Sequence, residues 1–195
     1  MIRYLLIGLL ASSPVFANTT YKIDPKSSTA VWTAYKKLGD SHTGQIQIKE
    51  GEISLDKKGN LVSGKFIIDM ATISNDDLKE KPDYQKKLVA HLSNDDFFKV
   101  DKFKESTFKI TKVKSKSEGE FTVTGDLTMI GKTKSLEFPV KVSNEGGLPK
   151  GEASITVDRT KWGLKYGSGN FFKELTADKI IKDEFKLDVK IATMK

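Results

Sequence analysis

From Ser106 onward apolar residues return at every second position, in segment after segment, and that alternation leaves little room for anything but antiparallel β-sheet. Phe108 and Ile110 open the series. Phe121, Val123, Leu127 and Met129 follow, with Gly125 in the same register, then Leu136, Phe138, Val140 and Val142. Ile155 with Val157, and Phe185 with Leu187, Val189 and Ile191, complete it. Lys, Thr and Asp fill many of the intervening positions, so one face of each strand meets water. Parallel strands, covered on both faces, would read as unbroken apolar runs instead. Turn signals at Lys116 to Gly119, Gly131-Lys132 and Asn144 to Gly147 separate the segments.

The first half carries the same signature. Ser28 to Lys36 places Ala30, Trp32 and Ala34 on one side, and Thr43 to Glu50 places Ile46 and Ile48 on one side. Gly51 reads as a turn, Ile53 and Leu55 as a short strand, and Asp56 to Asn60 as a hairpin. The hairpin leads into Leu61 to Met70, where Phe66, Ile68 and Met70 share a face. The pattern then changes. Ser74-x-x-Asp77 predicts a capping box and a short helical turn. Pro82 and Asp83 open a helix running from about Asp83 to Ser93. Tyr84, Leu88, His91 and Leu92 fall on one stripe of that helix, which predicts a face laid on the sheet. After a polar turn, Phe97 and Phe98 stand together and require a large apolar host. About eight consecutive strands with short turns and one helical insertion predict a mainly β fold, a meander closed into a barrel or a sandwich. Periodicity does not separate the two.

Residues 1–17 have the form of a cleavable signal peptide: Arg3, the apolar run Leu5 to Leu10, and Val15-Phe16-Ala17. The run is shorter than the roughly 20 residues needed to span a bilayer. Residues 18–195 are expected to form one domain, exported to the periplasm or secreted. The chain has no cysteine, which closes disulfide scaffolds, thiol catalysis and Cys-ligated metals. The formal charge of +7 rests almost entirely on lysine, with Arg159 the sole arginine beyond Arg3. Spread lysines interleaved with acids read as a solvated surface. Nucleic acid would favour a clustered set of arginine forks, so no nucleic-acid partner is expected. Transient contact with an anionic membrane surface stays open.

No catalytic motif is present: no Gly-x-Ser-x-Gly, His-Glu-x-x-His, P-loop or Gly-x-Gly-x-x-Gly. Asp76-Asp77 and Asp95-Asp96 read as turn or cap acids. His42 and His91 without a third ligand make no metal site, and the sequence implies no metal and no cofactor. His91 either fixes the helix to the sheet or reaches a ligand. Arg159 is read as half of a structural ion pair, with head-group binding as the alternative.

His91-Leu92-x-x-x-Asp96-Phe97-Phe98, followed by Thr107-Phe108, resembles the signature of the YceI-like, polyisoprenoid-binding family. Gly125 to Thr133 and Leu136-Glu137-Phe138-Pro139-Val140 are similar to a second block of it. Shorter matches lie at Ile23-Asp24-Pro25, Trp32 with His42-x-Gly44, Asp158-Arg159-Thr160 and Ile181 to Glu184. Many members carry Asp-Pro-x-His-Ser where this chain has Asp24-Pro25-Lys26-Ser27-Ser28, so no histidine role transfers there. The resemblance implies a lipocalin-like antiparallel barrel with a helical insertion, and an isoprenoid or similar long-chain lipid as partner. In such a barrel Trp32, Phe66, Ile68, Phe108, Phe121, Leu127 and Phe138 would line an apolar pocket by strand parity. Phe97 and Phe98 would enter from the helix end, and Trp162 would sit at the mouth. His42, His91 and Arg159 are the polar candidates. A carrier of a long apolar chain is the first reading. The alternatives are an enzyme acting on a lipid-linked substrate at the barrel mouth, and a Lys-rich module for an anionic surface or partner. The sequence is silent on oligomeric state.

Overall fold

A computed structural model describes residues 18–194; the stretch 1–17, expected to be a signal peptide, lies outside the described residues. Among the described residues lie ten strands, all but the first of them in segments read as alternating: β1 Thr19–Ile23, β2 Thr29–Lys36, β3 Ser41–Gln45, β4 Gln47–Leu55, β5 Leu61–Asp69, β6 Glu105–Ser117, β7 Glu120–Met129, β8 Lys132–Glu145, β9 Leu148–Asp158 and β10 Ile181–Met194. Every pairing between them is antiparallel.

The ten strands make eight staves. β1 and β2 both pair with β10 and run in the same direction, interrupted by the Asp24–Ser28 turn. β3 and β4 are likewise one stave broken at Ile46, whose N–H donates to the Ala30 carbonyl. Each stave pairs with the next in sequence, and β10 returns to β1 and β2, closing the sheet into a barrel rather than a sandwich. In the Asp24 turn, the carboxylate accepts from Lys26 N–H and the Ser27 hydroxyl. The Ser28 hydroxyl meanwhile bridges to Ala192 on β10. At the positions where the family pattern has its histidine, the residues of this chain stitch a turn to the barrel wall.

The two ends differ. One end, the base, is closed by tight turns around Gly59, Gly119 and Gly146-Gly147, all with positive φ. Leu55, Leu61, Phe121, Val123 and Phe138 pack with Ile53 into one buried cluster, part of which faces the cavity described below. The other end, the mouth, collects the two long connections, 70–104 and 159–180. The β7–β8 hairpin turns at Ile130-Gly131, one residue earlier than the sequence suggests. Both have positive φ, the combination a two-residue hairpin requires.

Gly51 is no turn. β4 runs straight through it with a bulge between Ile48 and Glu50. A Cβ at Gly51 would lie 2.8 Å from the Phe66 ring, so the missing side chain makes room for that ring. No helix starts at Ser74 either. The Ser74 and Asp76 N–H groups donate to the Gln45 and Thr43 carbonyls, which β5 leaves unpaired beyond Gln47. The edge of β3 is therefore covered by 74–76.

The predicted helix is present as α1, Pro82–Ser93. Its apolar stripe is only partly used. Tyr84 is 66% exposed, and no residue of the helix is fully buried. The N-terminal half of α1 is exposed apart from Gln85, whose amide donates to the Asn75 carbonyl, and only Leu92, in its last turn, reaches the barrel interior. Leu88 is half-buried. Leu88→Ala should therefore cost about 1–2 kcal/mol, below the 2–5 of a fully buried leucine. Urea unfolding measures it, and a loss above about 3 kcal/mol would show the helix to be packed more deeply than this.

Candidate apolar cavity and its mouth

Between bulges, such as those at Ile48–Glu50 and Ile110–Lys112, one side chain in two along each stave points to the barrel axis. Above the base core these side chains do not meet, and they enclose a cavity of about 230 Å³. An apolar cavity of about 150 Å³ already accepts benzene, so the volume is enough for part of a hydrocarbon chain. Trp32, Phe66, Ile68, Phe108, Leu127 and Phe138 line it, as parity predicts, and Phe97 and Phe98 cap it from the mouth. Phe66, Phe108 and Phe138 form one run of rings, with centroid separations of 6.4 and 5.5 Å. Phe108 lies over Gly125, where a side chain would collide with its ring.

Two predicted members lie elsewhere. Phe121 has the inward parity but is enclosed by Leu55, Leu61 and Val123 and does not line the cavity. It is consumed in the base core, with 1% exposure. Trp162 is fully buried with Met129 and Val157, its indole N–H donating to the Leu127 carbonyl at 3.0 Å. It fills the wall at the mouth end without lining the cavity. Met70, Ile73, Leu164 and Ile181 line the cavity without having been singled out as pocket residues. Ile73 and Leu164 lie in connections, where no periodicity marks an inward position.

The polar candidates do not converge. His42 Nδ1 lies 2.8 Å from Asp77 Oδ2, while Asp77 Oδ1 accepts from Thr43 N–H and Asn75 Nδ2. Trp32, whose indole donates to the Ser74 carbonyl at 3.1 Å, pins the same segment. His91 Nε2 lies 3.0 Å from Asp96, with its ring edge-on to Phe97 and Tyr166. Each histidine thus has its own acid, and neither lines the cavity. Among the described residues no group of three His, Cys, Asp or Glu could hold a metal ion.

Arg159 does line the cavity and is 5% exposed. Its guanidinium donates to three backbone carbonyls, Leu164 at 2.6 Å, Ile181 at 3.1 Å and Lys182 at 3.2 Å. Asp183 Oδ1 lies 3.8 Å away and accepts no hydrogen bond, while Oδ2 accepts from Asn170. Burial lowers the Arg159 pKa, and Asp183 and Asp158 pull it back up. The arginine fastens the 159–180 connection to the start of β10. Its Nε–H and one donor on each Nη are thereby turned away from a ligand. The Ser106 hydroxyl is directed to Met70 Sδ at 3.1 Å. The interior therefore offers carbon surface with few free polar groups.

The mouth segment does carry a pH signature. Burial raises the Asp77 pKa, but the bonds from Thr43, His42 and Asn75 outweigh it and the net shift is downward. Asp76 is lowered by bonds from Lys79 and Gln45, against burial. A carboxylate with a depressed folded-state pKa stabilises the fold above its unfolded value, about 3.9. That contribution is lost as pH falls through the folded value. Stability should therefore decline on acidification below about pH 4, and Asp77→Asn should flatten that decline. Urea midpoints at about pH 6 and pH 3 for both proteins test it, and equal acid sensitivity would refute the assignment.

Comparison with known proteins agrees with this architecture. Residues 21–193 match the profile of the YceI-like domain. A UPF0312 protein of Shewanella sp. (strain MR-4) is 31% identical over 186 residues, covering 91% of this chain and 94% of the relative. A UPF0312 protein of Vibrio parahaemolyticus is 33% identical over 133 residues, 67% of each chain. Among solved structures, Burkholderia cenocepacia BcnA superposes with a TM-score of 0.69 at 20% identity, covering 88% of this chain and 99% of that one. A polyisoprenoid binding domain from Saccharophagus degradans, implicated in plant cell wall breakdown, superposes with a TM-score of 0.60 at 12% identity, covering 89% and 97%. At these identities the two structures establish a shared fold.

Proposed function

The chain belongs to the YceI-like family, and from that premise we propose that it is an exported carrier holding one long apolar chain inside its barrel. The ligand is an isoprenoid: a polyprenol, a polyprenyl compound or a quinone tail. The observation that carries this reading is the cavity itself. Ile68, Phe98, Leu127 and Leu187 face it and are only half-buried, although each lies on the inner side of a closed barrel or its cap. Covering such surface with hydrocarbon contributes about 25 cal/mol per Å² and restores dispersion contacts to the lining. The few free polar groups inside agree with a ligand whose buried part is hydrocarbon. The likeness to the polyisoprenoid binding domain of Saccharophagus degradans supports an isoprenoid over other hydrocarbons. The 1–17 stretch would direct export to the periplasm or beyond.

Solvent extraction of the purified protein, followed by mass spectrometry, tests the ligand class. An isoprenoid is expected in the extract, or, if the protein emerges bare, uptake of added prenol or quinone. Bare protein that takes up neither would overturn the reading.

A further inference from the structure

The mouth of the barrel carries a surface of its own. Leu38, Tyr84, Tyr166, Phe171 and Phe172 are 58%, 66%, 44%, 47% and 39% exposed, and all five lie in the connections of the mouth end. Among the described residues only Val62 and Met194 join them as large exposed apolar side chains, and both belong to base-side strand ends. Scattered single exposures need no explanation, but a cluster around one opening does.

The segment holding the phenylalanines is anchored to the barrel. Arg159 binds the Leu164 carbonyl, Ile181 N–H donates to Gly167, and Lys37 N–H donates to Ile180. Ser168 is fully buried, and its carbonyl accepts from both Phe171 and Phe172 N–H. The backbone is therefore fixed while both rings stay at the surface. Exposed lysines share this end with them, Lys37, Lys161, Lys165, Lys173, Lys179 and Lys182, against the exposed acids Asp40, Asp96, Glu174, Asp178 and Glu184. Lys165 Nζ sits 4.2 Å from the Phe171 ring centroid, and Lys182 lies over Tyr35. Aromatic rings interleaved with lysines suit the boundary between anionic head groups and acyl chains. No helix among the described residues is long and apolar enough to cross a membrane.

We infer that the 163–180 segment, with Leu38 beside it, docks the mouth of the barrel onto an anionic lipid bilayer, Phe171 and Phe172 entering the interface. This rests on the carrier reading, since it places the opening where an apolar chain can pass between membrane and barrel without crossing water. Binding to the bilayer itself is measurable on ligand-free protein, so it succeeds or fails independently of cargo.

The test is flotation of the ligand-free protein with vesicles of phosphatidylcholine alone and of phosphatidylcholine with phosphatidylglycerol. Association is expected only with phosphatidylglycerol present, weakened by salt. Phe171→Ser with Phe172→Ser should reduce it about tenfold or more, whereas Val62→Ser should leave it unchanged. Phe171→Trp keeps an apolar ring and serves as the second variant. The fluorescence of its added indole should shift to the blue on those vesicles and be quenched by brominated lipid. Absence of wild-type association, equal binding by the double variant, or an unshifted emission from Phe171→Trp would each overturn the inference. Loss of self-association instead, seen by sedimentation without vesicles, would assign the patch to a second copy of the chain and overturn it too. Prenol titration of the double variant in solution stands apart: retained affinity there with lost flotation locates the defect in docking, not in carriage.

Discussion

Arg159→Ala is expected to lower the unfolding free energy by about 3–5 kcal/mol, the range for removing one partner of a buried charged pair. Three carbonyls, those of Leu164, Ile181 and Lys182, lose their donor in one step. The Asp183 carboxylate, 17% exposed, loses its neighbouring cation. Each buried polar group left unmatched carries a penalty of about 1–3 kcal/mol, although water entering the gap recovers part of it. Arg159→Lys should recover little, because one ammonium on a flexible stem does not reproduce a planar fork aimed at three carbonyls. Urea unfolding of both variants measures this. An Arg159→Ala protein within about 0.5 kcal/mol of wild type would show that the arginine does not fasten the mouth.

Ala34→Trp is expected to abolish hydrocarbon binding while leaving the protein folded. Ala34 lies on β2 opposite Phe185 and His42, and it faces the cavity. An indole there enters the space a ligand would use. Overpacking a filled core typically costs about 1–3 kcal/mol; at a cavity wall the lower end applies, since the ring meets fewer displaced neighbours. Thr122→Trp, on the outward parity of β7, is the control and should alter neither property. Melting temperature and prenol affinity must be measured on the same preparations. Equal prenol binding by the two variants, both folded, would separate the apolar parity from any binding site. A large loss of stability in Ala34→Trp would mean that the interior is solid at that point.

Strand parity is legible from sequence because a period of two needs only the identity of alternate residues, and each segment keeps it between bulges such as those at Ile48–Glu50 and Ile110–Lys112. Barrel closure is not, since pairing of β10 with β1 and β2 leaves no mark in the local pattern; the family resemblance supplies it. Depth along a strand is equally hidden. Phe121 and Leu127 share a parity, yet one plugs the base and the other lines the cavity. The difference is the enclosure of Phe121 by Leu55, Leu61 and Val123, which periodicity does not contain. Gly51 misleads because a glycine that admits a ring looks the same as one that turns a chain. The α1 stripe is a true pattern, but Tyr84 remains outside because nothing in the helix reports where the barrel rim ends. His42 finds Asp77, 35 residues away, through a segment that covers an unpaired strand edge. Such a role becomes visible only once β3 and β5 are known to part.

That the barrel interior receives a single long apolar chain is tested most directly by native mass spectrometry of the ligand-free protein. It should be titrated with prenols of increasing length. The expected result is one prenol per protein, with affinity rising along the series until the cavity is filled and then levelling. Adducts that are absent, or that accumulate in several copies with no dependence on chain length, would contradict it.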